Sequence, residues 1–182
     1  MKLIETEFKG LFILEPKVIE DSRGYFMETY HAKIFENYGL NFQFVQDNQS
    51  KSKRHVLRGL HFQNAPYAQT KLVRVLSGSI MDVVVDLRRS ESTFGKAFTV
   101  ELSDVNKRQL LVPKGFAHGF VVLTETAEVF YKSDEFYNPE AESGINFFDE
   151  ALNLKLLIGI ENFVLSEKDK KYPNLREAQF NF

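Results

Sequence analysis

The chain has 182 residues, with 23 basic and 25 acidic side chains and a formal net charge of −2. This length is typical of one domain, so we expect residues 1–182 to form a single unit. The charge balance excludes the basic surface of a nucleic-acid-binding protein. The absence of cysteine excludes disulfides, thiolate nucleophiles and cysteine-based metal centres. Charges interrupt the apolar residues near the N-terminus, and no apolar run approaches the roughly 18 residues of a spanning helix. We therefore expect a cytoplasmic protein without membrane contact.

Helical periodicity is scarce along the chain. The segment Ala32–Tyr38, closed by Gly39, predicts one short helix, and Leu165–Lys171 predicts another. From Phe42 onward apolar and polar residues alternate, and aromatic residues make up 14% of the chain, as is typical of pleated, half-buried surfaces. The alternation predicts strands at 71–76, 80–87, 98–102, 109–112, 120–123 and 127–133. Short strands separated by polar turns indicate a mainly β sandwich or barrel with a few short helices.

The alternation also assigns side chains to strand faces. Lys71 shares a face with Val73 and Val75, and Tyr131 shares one with Val129. A lysine on an alternating strand usually faces solvent, and a tyrosine in this register is usually a core residue. The stretch after Asn138-Pro139 has little periodicity, and we expect its apolar residues to cover one end of the barrel. These residues are Ile145, Phe147, Phe148, Leu152 and Leu154.

Two histidines lie in segments suited to chemistry. The sequence lacks the glycine-rich nucleotide loops, the nucleophile elbow and the paired-histidine zinc helix of common enzyme families. His61 follows Arg58 in a strand-like run, and His118 lies in a glycine-rich bend expected between two strands. The pattern Pro113-x-Gly115-x-x-His118 resembles the second motif of cupin barrels. Those barrels usually carry His-x-His in their first motif, but here Gln63 replaces the second histidine, and Gln is a poor metal ligand.

Five sequence blocks in order resemble the dTDP-4-dehydrorhamnose 3,5-epimerase family. They are DSRGYFME (21–28), FVQDN (44–48), LRGLH (57–61), KGFAHGF (114–120) and ESGI (142–145). The resemblance runs from Arg23 to Asp169 and implies a cupin-like jelly-roll β-barrel. It also implies a homodimer in which an N-terminal segment of one subunit reaches the other's site. The implied activity is epimerisation of a dTDP-linked 4-keto-6-deoxy sugar at C3 and C5, in dTDP-rhamnose biosynthesis, without metal or organic cofactor.

The resemblance implies four catalytic residues. His61 matches the base, and Asp169 matches the carboxylate that orients it. Tyr131 matches the acid on the opposite face of the sugar, and Lys71 matches the residue at the C4 oxygen. From spacing alone, Asp169 fits a capping box with Ser166, so it is also expected to cap a short helix.

The resemblance further implies contacts to the nucleotide and the sugar. Tyr137 matches a ring that stacks on the base. Cationic residues match positions near the diphosphate or the sugar region, and these are Arg23, Arg58 and Lys168. Further polar contacts are implied for Glu28, Gln46, Asp47, Asn48, His118 and Glu142. Taken singly, each of these side chains also fits an ordinary solvated surface.

Three alternatives remain open from the sequence. One is a related epimerase that inverts only C3 or C5. Another is a metal-dependent cupin enzyme that uses His61, His118 and His55. The third is a non-catalytic cupin that only binds sugar nucleotides.

Overall fold

The computed structural model describes residues 1–154 and 162–182, and these residues form a mainly β architecture. The strands are β1 (Lys2–Glu5), β2 (Phe12–Glu15), β3 (Val18–Asp21), β4 (Gly24–Met27), β5 (Gln46–Lys53), β6 (Leu57–Gln63), β7 (Lys71–Ser77), β8 (Ser79–Asp86), β9 (Ala97–Ser103), β10 (Gln109–Val112), β11 (Phe116–Val122), β12 (Thr126–Ser133) and β13 (Glu142–Gly144). Helical structure comprises α1 (Ala32–Asn37) and single 3₁₀ turns at Glu150–Leu152 and Asp169–Lys171. The predicted mainly β class is confirmed.

Two antiparallel sheets make up the body of the fold. The six-stranded sheet has the order β1-β2-β10-β7-β12-β5, and the five-stranded sheet has the order β13-β6-β11-β8-β9. One buried cluster lies between them, with Val73 and Val75 from the first sheet and Ile80, Val84 and Phe120 from the second. Burying this apolar area on both inner faces is the main force that holds two such sheets together. The arrangement is that of the expected cupin-like jelly roll.

A second buried cluster lies on the outward face of the five-stranded sheet. Val83 and Val85 alternate with the inward residues of β8, and Ile145, Phe147 and Leu152 pack against them. The C-terminal segment therefore covers a sheet face rather than the end of the barrel that the sequence suggested. Within this segment, the Phe148 side chain is 51% exposed.

The six predicted strands are observed as β7–β12, and five of them lie within one residue of their predicted bounds. The strand expected at 120–123 begins at Phe116 and forms β11, so His118 lies within a strand and not in a bend. Gly78 has a φ of +79°, as a tight turn between β7 and β8 requires. Ser77 and Gly78 therefore form the turn at which β7 ends and β8 begins.

The helix predicted at Leu165–Lys171 is wrong except for its last turn. Val164 bridges Val56 in a parallel pairing, and backbone hydrogen bonds of 2.9 and 3.0 Å join it to Leu57 and His55. These bonds hold the chain extended at Val164, and only Asp169–Lys171 completes a 3₁₀ turn. The first predicted helix is confirmed as α1. No helix in the part of the chain that the structure describes is long and apolar enough to span a membrane.

Candidate active site

A cavity of about 560 Å³ opens between the two sheets. Strands of both sheets and the segment 164–169 supply its walls. Eight residues that the sequence singled out lie along it: Asn48, Arg58, His61, Lys71, His118, Tyr131, Lys168 and Asp169. The fold therefore brings the four residues matched to catalysis into one cavity, although they are spread along the chain from position 61 to position 169. They come from strands β6, β7 and β12 and from the final 3₁₀ turn.

His61 and Asp169 form a close hydrogen-bonded pair. The Nε2 atom of His61 lies 2.6 Å from Oδ1 of Asp169, and the two side chains are 30% and 5% exposed. An ionised carboxylate only accepts hydrogen bonds, so Nε2 carries the proton and Nδ1 keeps its lone pair. Holding one tautomer in this way prepares the imidazole to accept a proton at Nδ1.

The Asp169 carboxylate is held ionised by its neighbours. Burial raises its pKa, but the hydrogen bond from His61 and further bonds from Ser166 and the Gly59 backbone outweigh burial and leave the pKa below its usual value. The backbone N–H of Asp169 donates to Oγ of Ser166 at 3.1 Å. Ser166 thus caps the turn, while the Asp169 side chain reaches His61. The choice between a capping and a pairing role is settled by geometry in favour of the pair.

His118 forms a second, more deeply buried pair with Asp82. The His118 Nε2 atom lies 3.0 and 2.9 Å from the two carboxylate oxygens of Asp82. Asp82 is fully buried in β8, on the same face as Ile80 and Val84. Sequence reasoning did not select Asp82, although a carboxylate on the apolar face of a buried strand is a signal that a partner must exist.

Lys71 and Tyr131 enter the cavity from the six-stranded sheet, opposite His61. They lie on the adjacent strands β7 and β12, and Nζ of Lys71 lies 5.6 Å from the centroid of the Tyr131 ring. Burial lowers the pKa of Lys71 to about 8, although the negative charges of Glu142 and Asp82 oppose this shift. Burial also raises the pKa of Tyr131, so its phenol keeps its proton at neutral pH. Both side chains face inward, as the strand alternation predicts.

Within residues 1–154 and 162–182, no three His, Asp or Glu side chains are grouped as metal ligands. The metal-dependent alternative relies on His61 and His118, but Nε2 of each ring is engaged by a carboxylate.

Comparisons with known proteins assign the family. The family model described as dTDP-4-dehydrorhamnose 3,5-epimerase matches residues 5–177. This chain belongs to the dTDP-4-dehydrorhamnose 3,5-epimerase family. A relative of that name from Shigella flexneri is 51% identical over 170 residues, covering 93% of this chain and 93% of its own length.

Solved structures of the family superpose closely on this fold. The enzyme from Elizabethkingia anophelis is 52% identical, with a TM-score of 0.92 and 97% of each chain covered. An RmlC from Legionella pneumophila, solved in complex with dTDP-4-keto-L-rhamnose, is 43% identical with a TM-score of 0.90, covering 98% of this chain and 94% of its own. The expected resemblance and the cupin-like fold are both confirmed.

Beside the cavity, this epimerase-family chain carries a linked group of polar residues. Lys168 lines the cavity and donates to the Glu142 carboxylate, which also accepts a hydrogen bond from the Tyr137 hydroxyl. Burial raises the pKa of Glu142, but the bonds from Lys168 and Tyr137 outweigh it and lower the pKa below its usual value. Glu142 therefore stays charged, and its hydrogen bonds link the Tyr137 hydroxyl to Lys168 in the cavity wall.

Asn48 of β5 and Arg58 of β6 complete the wall, and each is hydrogen-bonded to another side chain of β5. Nε of Arg58 donates to Oγ of Ser52 at 3.0 Å, and Nε2 of Gln46 donates to Oδ1 of Asn48 at 3.0 Å. The Nδ2 group of Asn48 is buried and has no hydrogen-bond partner within the described ranges. Ser52, which sequence reasoning did not select, thus helps to orient Arg58.

The single chain does not bring every predicted site residue to the cavity. Arg23 lies in the β3–β4 hairpin, exposed and paired with Asp21 at 2.6 Å. Glu28 follows that hairpin and lies 3.9 Å from His31. Asp47 pairs with Lys132 at 2.9 Å on the exposed side of β5.

Sequence reasoning also missed Tyr172, which packs against His61. Its ring lies edge-on to His61, with centroids 5.6 Å apart and an interplanar angle of 65°. Gly144 is the cross-strand neighbour of His61, and a Cβ at Gly144 would lie 2.7 Å from the Tyr172 ring. The glycine therefore makes room for the tyrosine beside the imidazole.

Proposed function

We propose that this chain converts dTDP-4-keto-6-deoxy-D-glucose to dTDP-4-keto-L-rhamnose by inverting C3 and C5. Membership of the epimerase family supports the substrate class, and the proposed product is the ligand in the solved complex of the Legionella relative. The observation that carries the proposal is the His61–Asp169 pair, with His61 on the five-stranded sheet, and the entry of Lys71 and Tyr131 into the same cavity from the six-stranded sheet.

The first half of the reaction removes a proton beside the C4 ketone. The C–H bond at C5 or C3 breaks, its proton passes to Nδ1 of His61, and its electron pair forms an enolate with the charge on the C4 oxygen. Asp169 stabilises the imidazolium that results. The Lys71 ammonium stabilises the enolate oxygen, because a donor fixed in advance meets the charge as it develops.

The second half returns a proton to the other face of the same carbon. Tyr131 donates its phenolic proton, the enolate collapses to the ketone, and the configuration inverts. Its raised pKa keeps the phenol protonated until that step. Exchange with water then removes the proton from His61 and restores the one on Tyr131. The same cycle at the second carbon completes the conversion, with no electron transfer and therefore no need for a redox cofactor.

The remaining predicted residues are proposed to hold the nucleotide. Arg58 and Lys168 face the cavity and suit diphosphate oxygens, and Tyr137 offers its exposed ring to the base. Further contacts are proposed for Gln46, Asp47, Asn48, His118 and Glu142. Arg23 and Glu28 lie away from the cavity, so we propose that they reach the site of a second subunit in a homodimer. We also propose one domain over residues 1–182 and a cytoplasmic location.

The deciding experiment incubates dTDP-4-keto-6-deoxy-D-glucose with the protein in D2O and follows the sugar by NMR. We expect deuterium at both C3 and C5 and a product of rhamno configuration. Exchange and inversion at one carbon alone would replace the proposal with a single-site epimerase. Binding without exchange at either carbon would contradict any epimerase function.

A further inference from the structure

Gln63 is a buried amide at the end of β6, two residues beyond the base. Its side chain is almost fully enclosed, at 5% exposure. Nε2 donates to the carbonyl oxygens of Tyr67 at 2.6 Å and Phe136 at 3.2 Å, and Oε1 accepts from the backbone N–H of Asn138 at 2.8 Å. Burying an amide is costly unless it is hydrogen-bonded, and here both donors and one acceptor position are used.

These bonds fasten the loop between β12 and β13 on both sides of Tyr137. Gln63 holds the residue before the tyrosine and the residue after it. The backbone N–H of Tyr137 itself donates to Oε1 of Gln46 at 2.9 Å, and its hydroxyl donates to Glu142. Tyr137 is nevertheless 53% exposed, so polar contacts rather than core packing fix its place.

A fixed, exposed aromatic ring is suited to stacking on a flat ligand group. Ordering a free side chain or loop upon binding costs free energy, and a surface held in advance avoids that cost. The hydrogen bonds also explain why position 63 carries a glutamine. Two of the three partners are carbonyl oxygens, so position 63 needs an N–H donor, which a glutamate lacks.

We propose that Gln63 is a positioning residue for nucleotide recognition, because it holds residues 136–138 so that the Tyr137 ring is presented to the base of the ligand. This inference rests on the proposed function for the identity of the ligand, but not for the catalytic steps. It assigns a purpose to the position where the cupin metal pattern places a second histidine.

The test measures dTDP affinity by calorimetry and epimerase kinetics for Gln63→Glu and Gln63→Met. Gln63→Glu keeps the shape but places a carboxylate against two carbonyl oxygens, and Gln63→Met removes the hydrogen bonds without adding charge. We expect both to weaken dTDP binding and raise KM by about tenfold, close to the loss of one good contact. We expect kcat to stay within about twofold, since the base and acid are untouched.

The matched control is Asn106→Asp. The Asn106 amide also bonds to three backbone groups of a loop, those of Ser103, Glu101 and Arg108, but it lies outside the cavity wall. We expect it to leave dTDP affinity unchanged. If Asn106→Asp lost as much dTDP affinity as the Gln63 variants, a general loss of loop structure would explain both results. That outcome would overturn the proposal.

A double-variant cycle with Tyr137→Ala separates positioning from other roles. The exposed Tyr137 ring can be removed without disturbing the core, so this variant remains measurable even if a Gln63 variant fails to fold. Tyr137→Ala should weaken dTDP binding by about the same factor, and adding a Gln63 change should cost little more. Unchanged dTDP affinity in Tyr137→Ala, or fully additive losses, would overturn the proposal. Intact dTDP recognition without any proton exchange would instead contradict only the proposed epimerisation.

Discussion

The two histidine–carboxylate pairs lie side by side and differ in where the carboxylate comes from. His61 and His118 are cross-strand partners on β6 and β11. Asp82 reaches His118 from the adjoining strand β8, and the two side chains are 0% and 8% exposed. Asp169 reaches His61 from a turn 108 residues away in sequence, and the His61 side chain is 30% exposed.

We infer from this difference that the His118–Asp82 pair contributes mainly to stability, whereas the His61–Asp169 pair is placed to exchange protons with a ligand. A histidine enclosed with its carboxylate inside the sheet has little room to exchange protons with a ligand. A histidine whose carboxylate lies behind it, with the ring open to the cavity, is oriented and still accessible. We therefore expect loss of His61 to affect turnover first, and loss of His118 to affect stability first.

The largest expected effect is on proton exchange in His61→Asn. Removing a general base typically lowers the rate by ~10²–10⁴-fold, and we expect loss in this range in the rate of deuterium incorporation at both carbons. The measurement is NMR in D2O with the keto sugar. His55→Asn is the matched control, because asparagine tolerates the φ of +64° at that position. Near-normal exchange in His61→Asn would contradict its assignment as the base, and a large loss in His55→Asn would favour the metal-dependent alternative.

The next largest effect is on the free energy of unfolding. Here we expect the loss of His118 to cost more than the loss of His61. His118→Leu leaves the Asp82 carboxylate buried without its partner, and breaking a buried pair costs about 3–5 kcal/mol. His61→Leu should cost much less, because water from the cavity can reach the position. Urea unfolding of both variants gives the two free energies of unfolding. Equal losses would show that the two pairs contribute alike and that burial is not what distinguishes them.

The strand alternation explains how much of this site the sequence could predict. A period of two places Lys71 with Val73 and Val75, and the structure confirms that this face is inward. The same pattern places Asp82 among inward apolar residues, yet only the structure shows its partner. The alternation of a strand and the sheet face on which each side chain lies are local properties. The spacing of residues in the sequence therefore reveals them.

Contacts between distant segments could not be derived in this way. No spacing rule joins His61 to Asp169, and local reasoning alone favours a capping role for that aspartate. The predicted helix at Leu165–Lys171 was wrong for a related reason, since hydrogen bonds to the distant residues His55 and Leu57 hold Val164 extended. The link between Gln63 and residues 136–138 likewise depends on how two chain segments meet after folding.

The third expected effect is a fall in turnover at alkaline pH. Burial lowers the pKa of Lys71 to about 8, and in the proposed mechanism only the protonated amine stabilises the enolate. Turnover should therefore fall by about tenfold per pH unit above this pKa. Lys71→Arg tests the assignment in the same pH series, because a guanidinium stays charged throughout. If turnover in Lys71→Arg still falls in the same way at alkaline pH, the titrating group is not Lys71.

The smallest effect tests whether the surroundings of His61 matter beyond its carboxylate. Tyr172 lies edge-on to the imidazole, and Phe98 contacts Phe8 in nearly the same geometry, with centroids 5.8 Å apart and an angle of 66°, away from the cavity. Such pairs contribute about 0.5–1.5 kcal/mol, so Tyr172→Leu and Phe98→Leu should lose similar stability. Only Tyr172→Leu should lower kcat, by up to about tenfold, because only there does the lost ring leave the base free to turn. Tyr172→Phe keeps the ring and should restore kcat; a kcat that stays low in Tyr172→Phe would assign the effect to the hydroxyl instead.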